Sequence, residues 1–265
     1  MAPGLTVSLA QSPKYILSFD CLLILGLESN KYLCKVIDIV LIQSLNLHNM
    51  VINLGTQYSI INQLVSELRD AEIQRDSMRF RRNLERMGEL FAYEISKKLK
   101  YEEKEVVTSL GTAIVPVLKE FPLLATILRA GLPLHQGLLN IFDRSENAFV
   151  SAFREHRKED EFAVQIEYIS SPDITDRVMI LSDPMLATGH SLLQSYRALL
   201  NSGKPSHTHI VSVMASVQGL ELLKRSLPKT GITIWVGAVD DELTAHGYIV
   251  PGLGDAGDLA YGKKA

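Results

Sequence analysis

Hydrophobic positions recur at helical spacing from Tyr58 to Leu99. Ile60, Ile61, Leu64, Val65 and Leu68 form one stripe, and Phe80, Leu84, Met87, Phe91, Ile95 and Leu99 form a second, with Asp76 or Ser77 placed to cap it. Past Lys100–Glu105 that period stops and short apolar runs take over. Val106–Leu110 and Ala113–Leu118 read as a pair of strands around Gly111, a small flap. Leu123–Leu128 reads as a buried strand ending at Arg129-Ala130-Gly131, followed by a helix starting near Pro133. Asn147–Phe153 is a further strand running into Arg154 and the mixed-charge run Glu155–Glu161, which reads as an exposed, mobile loop. Strands at Phe162–Ile169, Val178–Leu181, His209–Ala215 and Ile232–Val236 follow, with helices from Ser191 and over Leu220–Ser226 between the last three. Alternating strands and helices imply an α/β fold with a mainly parallel twisted sheet flanked by helices. A helical segment precedes it, and the flap forms a small β hood.

The segment Arg177–Leu200 carries the first chemical signal. Its strand ends at Asp183-Pro184, and its helix begins at the loop Thr188-Gly189-His190-Ser191, so a carboxylate and a hydroxyl-bearing helix N-terminus share one crevice. Such crevices at the carboxyl ends of strands take ligands in open α/β sheets, and free N–H groups suit phosphate. An ordinary strand-to-helix turn with a Ser N-cap is the alternative that this segment leaves open. His246–Asp258, HGYIVPGLGDAGD, holds four glycines and a proline. It reads as irregular backbone brought close to a small planar ligand, with a plain glycine-rich terminal turn as the other reading.

Composition narrows the classes. The 265 residues are 46% hydrophobic, enough for a core without a disulfide or metal. A net charge of −3 gives no basic footprint for nucleic acid or an anionic membrane. Cys21 and Cys34 have no zinc or redox spacing, and no apolar run approaches the ~18 residues of a membrane span. The chain therefore reads as cytoplasmic, with no membrane partner. The cluster Arg79, Arg81, Arg82 and Arg86 reads as a solvated helix face, with pairing across a subunit interface as the alternative. Residues 1–49 carry no arginine and no sustained period. They are read as an extension ahead of an authentic start at Met50, with a small extra layer as the alternative, and no functional residue is expected there; residues 50–265 form the working domain.

Ile127-Leu128-Arg129-Ala130-Gly131, DPMLATGHS at Asp183–Ser191 and HGYIVPGLGDAGD together resemble the uracil phosphoribosyltransferases, a branch of the type I phosphoribosyltransferase fold. The resemblance implies transfer of the 5-phosphoribosyl group of phosphoribosyl pyrophosphate (PRPP) to uracil, giving UMP and pyrophosphate, with Mg²⁺ on the diphosphate and no metal held directly by the protein. It implies PRPP binding by Arg129, Arg154, Asp183, Pro184, Met185, Leu186, Ala187, Thr188, Gly189, His190, Ser191 and Asp255. Uracil would be bound by Ile249, Gly254, Asp255 and Ala256, and Asp183, Arg129 and Asp255 would be the catalytic groups. The family's phosphate loop commonly has glycine where this chain has His190, so a left-handed backbone there would be strained; the other reading puts the imidazole at the loop's rim. The resemblance also implies a homo-oligomer, at least a dimer. A noncatalytic PRPP or nucleotide sensor on the same fold is the rival class.

Overall fold

The computed structural model describes residues 50–156 and 162–263, with the side chains of 152–156 and 162–165 outside that description. The readings for residues 1–49 and for 157–161 of the charged run therefore lie outside the described residues. The chain begins with strand β1 (Val51–Asn53) and helices α1 (Ile60–Arg69) and α2 (Ser77–Ser96), then the hairpin β2 (Tyr101–Thr108) and β3 (Gly111–Leu118). Next come β4 (Leu123–Leu128), α3 (Leu132–Ile141), β5 (Asn147–His156), β6 (Phe162–Ser170) and β7 (Val178–Ser182). The short β8 (Met185–Leu186) precedes α4 (His190–Leu199), β9 (His207–Ser216), α5 (Val217–Ser226) and β10 (Ile232–Asp240). Strands β11 (Glu242–Leu243) and β12 (Ile249–Val250) lead to α6 (Ala256–Tyr261).

The main sheet has eight strands in the order β1-β10-β9-β7-β4-β5-β6, with β8 beside β9. Every pairing is parallel except β5 with β6. Side chains of a strand point alternately to its two faces, and the two cores follow that alternation. Leu124, Ile180, Val211, Val213 and Trp235 pack with the stripes of α1, α2 and α3 on one side. Their strand neighbours Leu123, Ala125, Met179, Leu181, Ile210, Ile234 and Val236 pack with Leu192, Leu193, Leu220 and Leu223 of α4 and α5 on the other. A parallel sheet covered on both faces needs such uninterrupted apolar strands.

Local signals fix the helix starts. The Asp76 side chain accepts from the N–H groups of Met78 and Arg79, so Asp76 rather than Ser77 caps α2. Pro133 lies in the first turn of α3, where its missing N–H costs nothing. The basic cluster does more than face solvent: Arg79 pairs with Glu67, Arg82 with Glu85, and Arg81 donates to the carbonyl of Ala260 at 2.6 Å.

Three expectations are corrected. The hairpin strands run over Tyr101–Thr108 and Gly111–Leu118 rather than Val106–Leu110 and Ala113–Leu118, and Leu110 sits in the turn. The ribbon stands off the main sheet with Val107, Leu110 and Ile114 exposed, and a strand wet on both faces leaves no apolar alternation to read. β5 continues through Arg154 to His156, taking in the first residues of the charged run. The glycine-rich terminal segment holds regular structure after all, in β12 and in α6, because the Asp255 side chain accepts from the N–H of Asp258 and caps that helix.

Candidate active site

From β4 the chain proceeds to β5 and β6 on one side of the sheet, and from β7 it proceeds to β9 and β10 on the other. The carboxyl ends of β4 and β7 thus flank the topological switch point, where an open α/β sheet leaves a crevice. Arg129 follows β4 and Asp183 follows β7, so both are delivered to that crevice by buried parallel strands. The Leu128–Arg129 peptide is cis. A cavity of about 700 Å³ opens here, within the size range of ligand sites. Its walls come from Ile127–Ala130, from Asp183 and Met185–Gly189 with Ser191 and Leu192, and from His246–Ile249 and Gly254–Gly257.

The middle wall gathers backbone N–H groups and hydroxyls, a donor set suited to an anion. Asp183 is half-buried; its N–H donates to the carbonyl of Val211 at 3.0 Å, and its Oδ1 accepts from the N–H of Met185 at 3.4 Å. Gly189 ends the loop with φ +84, a backbone that side chains resist, and a Cβ there would lie 3.0 Å from the carbonyl oxygen of Gly219. The first N–H groups of α4 have no intrahelical acceptor and open on this cavity beside Thr188 and Ser191. Behind the loop, the hydroxyl of Ser216 donates to the carbonyl of Ala187 at 2.6 Å and accepts from the N–H of Gly219 at 2.8 Å.

The third wall is tied from outside. Arg69 holds Asp240 with two hydrogen bonds of 2.8 and 2.6 Å and also donates to the carbonyl of Gly252 at 3.0 Å. The N–H of Gly252 donates back to Asp240 at 2.9 Å. Burial alone would raise the Asp240 carboxyl, but the hydrogen bonds from Arg69 and Gly252 and the Arg69 charge outweigh it and hold the group below the usual carboxylate range. Across the cavity, Nη2 of Arg129 donates to Asp258 at 2.9 Å and to the carbonyl of Gly262 at 2.8 Å, while its buried Nε has no partner among the described residues.

A family model described as uracil phosphoribosyltransferase matches residues 55–263. The chain belongs to the uracil phosphoribosyltransferase family. The uracil phosphoribosyltransferase of Porphyromonas gingivalis is 55% identical over 214 residues, covering 81% of this chain and 99% of that protein. That of Methanothermobacter thermautotrophicus is 39% identical over 193 residues, covering 71% of this chain and 86% of its own length. A solved structure from Aquifex aeolicus superposes with a TM-score of 0.71 at 31% identity, over 80% of this chain and 98% of that one. The mostly parallel sheet with helices on both faces is the type I phosphoribosyltransferase fold.

Within this family member, Arg129, Asp183, Met185, Leu186, Ala187, Thr188, Gly189, Ser191, Ile249, Gly254, Asp255 and Ala256 all line one cavity. Of the expected residues whose side chains are described, two do not. Pro184 turns its carbonyl to the N–H groups of Val213 and Met214, which spends it on the sheet. His190 is the exposed first residue of α4, and among the described residues only Asp176 combines a side chain with positive φ. The left-handed turn falls on Gly189, so His190 carries no backbone strain and sits at the rim. Arg154 is placed by its backbone opposite Val164 in the β5–β6 pair.

Sequence reasoning missed Arg69, Asp240, Asp258 and Ser216, whose roles rest on partners distant in the chain. His246, Gly247 and Tyr248 also line the cavity and belong to the quoted glycine-rich motif without having been assigned a role. Among the described residues, no group of three or more His, Cys, Asp or Glu could hold a metal ion. Asp183 and Asp255 are the carboxylates on the cavity wall, a donor set that fits Mg²⁺, which takes one or two carboxylates together with substrate phosphates.

Proposed function

We propose that this protein converts uracil and PRPP to UMP and pyrophosphate in pyrimidine salvage. The observation that carries the reading is the convergence of the arginine after β4, the Asp183–Ser191 loop and the glycine-rich terminal loop on one cavity at the sheet's switch point. N1 of uracil bonds to C1 of the ribose as the C1–O bond to pyrophosphate breaks, and the N1 proton leaves. No protein nucleophile is required. The chain's part is to align two substrates and to stabilise charge that develops in transit.

In this reading the backbone and hydroxyls of Ala187–Ser191 hold the 5-phosphate. Asp183 faces the ribose hydroxyls and favours positive charge at C1. Arg129 and Arg154 take the diphosphate, for which a guanidinium fork is suited. Asp255 contacts PRPP, and main-chain groups at Ile249, Gly254 and Ala256 read the carbonyls and N3–H of uracil. Mg²⁺ carried on the diphosphate would neutralise part of its charge, with Asp183 and Asp255 the carboxylates of the wall that could face it. Residues 50–265 are the catalytic unit, and the protein works as a cytoplasmic homo-oligomer to which the exposed hairpin contributes contact surface.

The test is nucleotide formation from PRPP and Mg²⁺ with a panel of pyrimidine and purine bases. UMP from uracil alone is expected. PRPP binding without turnover on any base would overturn the reading in favour of a sensor.

A further inference from the structure

The segment from Ile249 to Gly257 contributes to one wall of the cavity; Ile249, Leu253 and Ala256 seat it in the core, but the main chain at Gly252 and Gly254, between those side chains, is left to hydrogen bonds for its placement. Recognition of a planar base by main-chain groups demands that those groups be set before the ligand arrives, since ordering them on binding costs affinity. The anchor lies outside the cavity. Arg69, the last residue of α1, and Asp240, the last residue of β10, close a ring of hydrogen bonds on Gly252 that engages both its N–H and its carbonyl.

Several features separate this pair from an ordinary surface contact. Asp240 is only 7% exposed and Arg69 24% exposed, so the pair is largely removed from water and its geometry is not averaged by solvent. One nitrogen, Nη1, serves both the carboxylate and the Gly252 carbonyl. A planar fork can bridge two acceptors in this way, and a lysine ammonium cannot reproduce the arrangement. The Arg69 carbonyl in turn accepts from Nε2 of Gln74, and Oε1 of that same amide lies 3.9 Å from where a Cβ on Gly254 would be. Gln74, tied to Arg69, thus comes close to Gly254 as well. Neither Arg69 nor Asp240 lines the cavity, so any effect they have on a substrate passes through the loop.

We infer that Arg69, braced by Asp240, is a positioning residue for base recognition that presets the Gly252–Gly254 main chain and so governs affinity for uracil but not for PRPP. This rests on the proposal that the loop is the uracil site. Two outcomes separate a positioning role from general support of the fold: which Michaelis constant moves, and whether a conservative variant restores it.

Steady-state kinetics of UMP formation by the full chain test it. Arg69→Gln should raise KM for uracil by about tenfold or more and leave KM for PRPP within about twofold. Arg69→Lys should fall between, keeping the charge on Asp240 but not the bridge to Gly252. If Arg69→Gln does not fold, Asp240→Asn preserves the shape and an acceptor oxygen and should show the same split. The inference is overturned if KM for uracil is unchanged, or if both Michaelis constants rise together. Ala256→Val, which adds bulk inside the proposed base site itself, keeps the two claims apart. No change in KM for uracil in that variant removes the base-site reading; a rise there with none for Arg69→Gln removes only the role of Arg69.

Discussion

The hydroxyl of Ser216 lies 2.6 Å from the carbonyl oxygen of Ala187 and joins the C-terminal end of β9 to the loop ahead of α4. The Ser216 hydroxyl oxygen also caps α5 by accepting from the N–H of Gly219. Ser216→Ala would remove the cap and leave the Ala187 carbonyl buried without its donor, a loss of about 1–3 kcal/mol. Because Ala187 lines the cavity, KM for PRPP should also rise, by more than that for uracil. Urea unfolding combined with kinetics on both substrates checks this, and unaltered PRPP kinetics would reduce Ser216 to a helix cap.

Asp183 stands at the cavity wall, placed by the buried strand β7 and bonded through its own N–H to Val211. Asp183→Asn keeps the volume and an acceptor for the Met185 N–H while removing the negative charge. Turnover should fall by about tenfold or more with the unfolding free energy little changed. Near-normal UMP formation would refute an electrostatic role for this carboxylate.

His190 is exposed and helical, with the left-handed turn one residue earlier at Gly189. His190→Gly should leave KM for PRPP within about twofold and cost up to about 1 kcal/mol through the poorer helix propensity of glycine. A large rise in KM would show instead that the imidazole reaches the phosphate from the rim. Calorimetry and PRPP titration of the one variant distinguish the two results.

The chemistry was legible wherever it rode on a buried parallel strand. Leu123–Leu128, apolar but for Thr126, and Val178–Leu181 read as buried strands, so the sequence alone places Arg129 and Asp183 at the carboxyl edge. Other features leave no local trace. β1 has only three residues and pairs with β10, far along the chain. Arg69 and Asp240 are 171 positions apart, and nothing in either neighbourhood marks an ion pair. For His190 the sequence shows a glycine and a histidine side by side, but only the backbone angles tell which of them takes the turn. The hairpin was half-read because its exposed strand carries charges on both faces.

His209 is buried beside His207, with ring centroids 4.5 Å apart, and its Nδ1 accepts from the Trp235 indole N–H at 3.1 Å. Burial, and secondarily the charge of His207, pushes its pKa down to about 3; burial also lowers that of His207. A base whose folded pKa lies below its unfolded value of about 6.5 takes up protons preferentially in the unfolded chain. Its contribution is thus complete above pH 6.5 and is lost progressively as pH falls toward 3. Between pH 6.5 and 5 the loss from His209 alone should be about 2 kcal/mol, with His207 adding in the same direction. That window lies above the range in which depressed carboxylates titrate, which isolates the histidines. Urea unfolding at intervals across it should give a falling free energy in the native chain and a flatter profile in His209→Gln, which keeps an acceptor for the indole. Parallel profiles for the two proteins would show that His209 is not the group responsible.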